Sequence, residues 1–420
     1  MLYETRSRSY SAGSSTDVYK IDARAVWFGN DRIETDITVS DDGYDNHGLS
    51  FAAVRAYPVV SPDGSVGTPL CSVNFSQNTV VGSYQYFHPP PETPIASITP
   101  ITLPINPLLP LTDLVVRNGV AYVSTDSSIA SDPDILVVDI KDHSHPAVIS
   151  SLNTGPGISA ISLANSYIFA AAASTAAQLH VIKINGPSSL YLAKKYQLPQ
   201  EVASTSPPMG TAIFYANKRI YLGTERWKEQ ELAIIDVTNP ENPAKISGYE
   251  TDSKINAIYA RGDVLYVGAS DQNQLRTLNI QNPSSPILTN SFSPSGWQRQ
   301  EVKFIDYFED SLSFGRTSGG FNIVNDKELF SGISTSSSNP QYMLDIQGGV
   351  YGIVSDRDHI FVATRTVDQE LSVFDRSLAT SSAVYYSLPV LPQTMKCDGN
   401  HLYILAKTAP VIYEIGFYTD

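Results

Sequence analysis

The residues best equipped for recognition chemistry are two tryptophans and the cations beside them. Trp227 stands in Glu225-Arg226-Trp227-Lys228, and Trp297 in Trp297-Gln298-Arg299. An indole offers wide, rigid apolar area and a guanidinium a fork of donors, so these types dominate binding hot spots. Asp271, Arg316, Arg365 and Lys407 fall in comparable polar stretches. Together with Arg226, Trp227 and Trp297 they form the candidate ligand-binding set, suited to holding a protein or glycan partner. Three carboxylates, Asp113, Glu301 and Asp345, could form a pair for acid–base work. Each fits equally well as a hydrogen-bonding group at a strand end.

Other motifs resolve toward structure. Arg261-Gly262-Asp263 matches an integrin-recognised tripeptide, but Gly-Asp is also what a tight hairpin needs. Asp41-Asp42-Gly43-Tyr44-Asp45-Asn46 has a calcium-like composition without the terminal bidentate Glu at loop spacing, and reads as a solvated turn. His143 and His145 flank a Pro turn with no third ligand placed by sequence. No GxSxG elbow, HExxH helix or GxxxxGK[ST] loop occurs. The expectation is a chain without catalytic residues, metal or cofactor. With 42 acidic against 28 basic residues the net charge is −14. That disfavours counterion release from nucleic acid and polybasic contact with a membrane.

The elements that must position these residues are short strands in a repeat. A tight turn followed by an apolar phrase with an aromatic centre recurs as Asn118-Gly119-Val120-Ala121-Tyr122-Val123 and Asn217-Lys218-Arg219-Ile220-Tyr221-Leu222. It returns around Phe169, Tyr266, Phe314, Phe361 and Tyr403, a period of about 47 residues. A period of roughly 40–50 built from strands marks a β-propeller. Each repeat parses as four strands. The loops between strands two and three, and those between blades, surround the channel mouth and carry the candidate residues.

A hydrophobic phrase ending in Asp-Val or Asp-Ile, then Asn-Pro-x-x-Pro, occurs as Ala233-Ile234-Ile235-Asp236-Val237 before Asn239-Pro240-Glu241-Asn242-Pro243. Leu136-Val137-Val138-Asp139-Ile140 matches it, Leu371-Ser372-Val373-Phe374-Asp375 does so less closely, and Phe321-Asn322-Ile323-Val324-Asn325 is degraded. Over about residues 112–420 the chain resembles the LVIVD-repeat family of surface-associated β-propellers. The resemblance implies an exported or cell-envelope protein used for binding or organisation, and transfers no catalytic residues.

The predicted fold is all-β: a seven-bladed propeller over 94–420 and a small β-rich module over 1–93 ending in the stiff Pro89-Pro90-Pro91 spacer. The last repeat lacks an outer strand, and Ile95 to Leu103 is its expected donor, clasping the ring beside Val411 to Phe417. Cys71 and Cys397 fall in different predicted domains, either bridging them or remaining isolated thiols. No stretch reaches the roughly 18 apolar residues of a membrane span. The abrupt start, Glu4-Thr5-Arg6-Ser7-Arg8-Ser9, suggests a trimmed leader or anchor. The working expectation is an extracellular, non-catalytic binding or adhesion scaffold with residues 1–93 as stalk or assembly module. The alternative is a propeller hydrolase or lactonase with a metal or carboxylate site at the channel mouth.

Overall fold

A computed structural model describes most of residues 95–417. Outside the described residues lie 128, 130, 165, 187, 201–206, 293–300, 309–310, 317–319, 326–341, 345–347, 357–358, 376–382, 399–400 and 418–420. Before residue 95 only the backbone of five strands is described. Tyr3–Ser11, Val18–Trp27 and Ile33–Asp41 form an antiparallel sheet, and Val73–Phe75 pairs with Val80–Gly82. Residues 42–72, Cys71 among them, lie outside the described residues.

The rest is a β-propeller, and among the described residues no helix occurs. Six four-stranded antiparallel sheets are each built from consecutive strands, over residues 111–152, 158–196, 210–249, 255–292, 302–344 and 350–386. A further four-stranded sheet is composite. Pro392–Asp398, His401–Ala406 and Val411–Phe417 are completed by Ile95–Thr102, which pairs antiparallel with Val411–Phe417. Pro100, opposite Tyr413, is exposed on this outermost strand, where a missing N–H is tolerated. Ile101 inserts with no exposed surface beside Leu405 and Ile412. The innermost strands of the sheets, starting at Leu111, Ile158, Gly210, Ile255, Val302, Val350 and Pro392, neighbour one another in a closed circuit.

The repeated phrases have local physical causes. Asn118 and Gly119 (φ 52° and 71°) and Asn217 and Lys218 (φ 51° and 59°) adopt the left-handed pair that a two-residue hairpin requires. Gly262 takes φ 58° in the same role. Arg261 stacks over the Tyr307 ring, 4.0 Å from its centre, and hydrogen-bonds the Tyr307 hydroxyl. The tripeptide is therefore hairpin architecture.

The third strands, Ile135–Asp139, Leu232–Asp236, Leu275–Asn279 and Leu371–Asp375, bury their first four residues, apolar throughout in the first two, while Arg276, Thr277 and Ser372 are buried in the others. Their terminal carboxylate or amide starts the exit turn. Asp139 accepts from the Lys141 N–H (3.0 Å), Asp236 from Thr238 (2.7 Å) and Asn279 from Gln281 (2.9 Å). A second such turn follows, with Asp142, Asn239 and Asn282 accepting from Ser144, Glu241 and Ser284. The phrase is thus a buried strand followed by two turns in which Asx side chains replace missing backbone partners.

Blade-to-blade packing explains the small residues on the second strands. A Cβ on Gly223, Gly268 or Gly315 would meet Ile255, Val302 or Val350 at 2.6, 2.7 and 2.2 Å. The first residue of each following inner strand occupies that space.

Candidate functional site

Every inner strand carries a β-bulge at the same place, between its first and third residues. A bulge leaves one residue out of the ladder and re-aims its side chain, a device common beside functional sites. The bulged residues are Thr112, Ser159, Thr211, Asn256, Lys303, Tyr351 and Gln393, all polar or phenolic and none buried, while the residue before each is buried. Two of them reach sideways along the inner wall: Thr112 and Thr211 donate to the carbonyls of Ile158 (2.6 Å) and Ile255 (2.5 Å) in the next blade. The Asn256 amide donates to the Ser270 hydroxyl (2.6 Å), which donates to Glu301 (3.1 Å).

Charged groups line the wall from the third sheet round to the first. Arg365 stacks on Tyr351, with its guanidinium carbon 3.3 Å from the ring centre, and donates to the Pro392 carbonyl (2.9 Å) and the Gln393 amide oxygen (3.1 Å). Lys396 pairs with Asp113 at 3.3 Å, and Lys254 lies 4.0 Å from Glu225. Lys303 is solvent-accessible, yet its ammonium is held below its ordinary pKa. Surrounding protein mass is the main cause; Arg365 and Lys254 add to it, and Glu301 and Asp113 oppose it. A lysine both wet and desolvated is what a narrow channel wall produces. Among the described residues Lys303 has no hydrogen bond or ion pair of its own.

The loops above this rim are fastened from beneath by one buried residue preceding the third strand. Glu231, with no exposed surface, accepts from the Trp227 N–H (3.1 Å), the Thr251 N–H (2.8 Å) and the Thr251 hydroxyl (3.2 Å). Asp134 accepts from Thr154 N–H and hydroxyl and Gly155 N–H at 2.5, 2.9 and 3.0 Å. Glu370 takes Leu388 (3.0 Å) and Asp368 (3.3 Å). Gln178 accepts from Leu198 (2.9 Å) and donates to the Ser174 carbonyl (3.0 Å).

The sequence-derived set fares unevenly. Trp227 is only 8% exposed and packs with Leu179, Leu198 and Ala233, so its indole is a core group and not a ligand platform. Arg316 ends a second strand with no exposed surface, where sister blades carry Thr or Ala, and so is not a loop residue. Asp271 is turned onto Arg276 at 2.5 Å, a pairing internal to the fourth blade. Arg226 and Lys407 are exposed on the expected loops, and Arg365 stands at the rim. Trp297 and Asp345 lie outside the described residues. Asp113 is buried and accepts from the Leu114 and Ile161 N–H groups at 2.9 and 3.1 Å, a structural duty beside its pairing with Lys396. Sequence reasoning missed the bulged circuit. Its signal was a polar residue second in each inner strand.

The LVIVD repeat model matches residues 113–154, 227–251 and 254–293, which are the first blade, the second half of the third and the fourth. The chain carries LVIVD repeats. No curated protein matches it. Among solved structures, U3-55K is similar at 11% identity and TM-score 0.55, covering 77% of this chain and 100% of that one. Virginiamycin B lyase from Staphylococcus aureus is similar at 9% identity and TM-score 0.55, covering 77% and 99%. The extracellular domain of the putative hybrid two component system BT4673 from B. thetaiotaomicron is similar at 11% identity and TM-score 0.52, covering 76% and 40%. At these identities the likeness of the LVIVD-repeat chain to each is one of fold alone.

Proposed function

We propose that this LVIVD-repeat chain is a non-catalytic, exported or cell-surface propeller that binds a protein or glycan partner at its channel mouth. Counting the composite sheet as a blade, we read the ring as seven-bladed, with residues 1–93 as stalk or assembly module. The observation that carries the reading is the bulge repeated in every inner strand, which turns one polar side chain per blade onto the inner wall. The residues just before them, Leu111, Ile158, Ile255, Val302 and Val350 among them, are buried and apolar, whereas the bulged residues stay accessible. The extracellular placement rests on the LVIVD repeats and on the likeness in fold to an extracellular domain from B. thetaiotaomicron.

The test is a glycan and protein array probed with the full chain and with a Tyr351→Ala, Gln393→Ala variant. The expected result is a discrete set of ligands whose signal falls at least tenfold in the variant. Unchanged signals would move binding away from the mouth, and steady turnover of array ligands would refute the non-catalytic reading.

A further inference from the structure

The charged arc of the mouth supports a narrower statement about what is bound, resting on the proposed binding role. Lys254, Lys303, Arg365 and Lys396 provide four cationic groups there, and Glu225, Glu301 and Asp113 three anionic ones. Among these described residues the cations outnumber the carboxylates by one, in a chain of net charge −14.

The four cations are not equivalent. Lys396 is neutralised by Asp113 at 3.3 Å, and Lys254 faces Glu225 at 4.0 Å. Arg365 is held rigidly by Tyr351, Pro392 and Gln393, so its orientation is set before any ligand arrives. Lys303 is exposed and has no hydrogen bond or ion pair among the described residues; Glu301 attracts it, while Arg365 and Lys254 repel it. At the same bulge on the neighbouring inner strands Asn256, bonded to Ser270, precedes it around the ring, and Tyr351 and then Gln393 follow it. Tyr351 is already covered by Arg365 on one face. A site with one unmet cation, a fixed guanidinium and a fringe of neutral donors and acceptors matches a ligand with one carboxylate and several hydroxyls.

We propose that the channel mouth recognises a carboxylate-bearing glycan, with Lys303 taking the carboxylate, Arg365 set beside it, and Asn256, Ser270 and Gln393 reading the ring hydroxyls. Planar bidentate capture is not required, because an ammonium acts as a point charge and tolerates rotation of the sugar acid.

The probe is trigalacturonate, with its fully methyl-esterified form as the neutral twin, titrated calorimetrically against the full chain. The acid is expected to bind at least tenfold more tightly than the ester, and Lys303→Gln to lose at least tenfold of that affinity. Lys228→Gln, an exposed cation on a blade loop, should change neither ligand by more than twofold. Affinity for the acid should also fall with added salt. Equal binding of acid and ester, no binding of the acid at millimolar concentration, or full affinity in Lys303→Gln would each overturn the proposal. The acid-versus-ester comparison needs no variant, so it stands even if Lys303→Gln folds poorly. Mouth-dependent binding of a neutral ligand on the array would leave the broader reading intact while removing this one.

Discussion

Replacing Glu231 by Gln tests whether the loops of the ligand face are fastened by buried carboxylates. In the third blade both Glu231 oxygens accept, from two backbone N–H groups and one hydroxyl, in a site with no exposed surface. Glutamine keeps one oxygen and substitutes an NH₂ that must face another donor. One backbone N–H is then orphaned, which costs about 1–3 kcal/mol, and the surviving bonds lose their charge assistance. Removing a buried charge returns part of this, leaving an expected loss of roughly 2 kcal/mol. The reciprocal change, Gln178→Glu, should destabilise for the opposite reason. There the amide donates to the Ser174 carbonyl, and a carboxylate would present an acceptor to an acceptor. Urea denaturation of both variants should lower the midpoint with an unchanged slope. Hydrogen exchange at Trp227 and Thr251 should quicken in Glu231→Gln before global unfolding. A Glu231→Gln protein within about 0.5 kcal/mol of the parent, inside the noise of surface changes, would refute the fastening argument.

Two further outcomes follow from other parts of the ring. Trp227→Ala should cost about 3 kcal/mol, the scale for truncating a buried aromatic, read as a lower urea midpoint; unchanged stability would contradict the packed indole. The second concerns Glu414, which meets His401 Nδ1 (3.3 Å) within the composite sheet and joins that sheet to the first blade through His143 Nε2 (3.2 Å). Burial alone would raise the Glu414 carboxyl, but His401, Tyr403 and His143 bring it below its ordinary 4.5, while the bond to Glu414 raises His401 above 6.5. Asp398, pushed up by burial and facing Arg117, is the other charged group beside His401. The glutamate contribution is complete above pH 4.5 and lost as pH falls through its depressed value. The histidine contribution is complete below pH 6.5 and lost as pH rises through its raised one. The stability difference between parent and Glu414→Gln should therefore peak between these limits at about 1 kcal/mol, kept small because both imidazoles are partly exposed. A difference that stays flat from pH 4 to 9 would show that the contact contributes nothing.

The sequence by itself determined the repeat, the apolar third strands, the Asx exit turns and the donor strand that completes the last sheet. Each is a local or periodic property: a strand buried on both faces is built largely from apolar residues, and a hairpin needs residues that tolerate positive φ. It did not decide which polar residues face solvent. Trp227 and Arg226 are neighbours in one loop, and only the packing of the second blade against the third buries the indole and leaves the guanidinium outside. Glu231 looks like a surface acid until the chain returns at Thr251 with two donors for it. The bulges likewise emerge only when two strands pair, because a bulge is a mismatch of register between them. Lys303, Arg365 and Asp113 come from separate blades far apart along the chain, and closing the ring is what brings their charges to bear on one another.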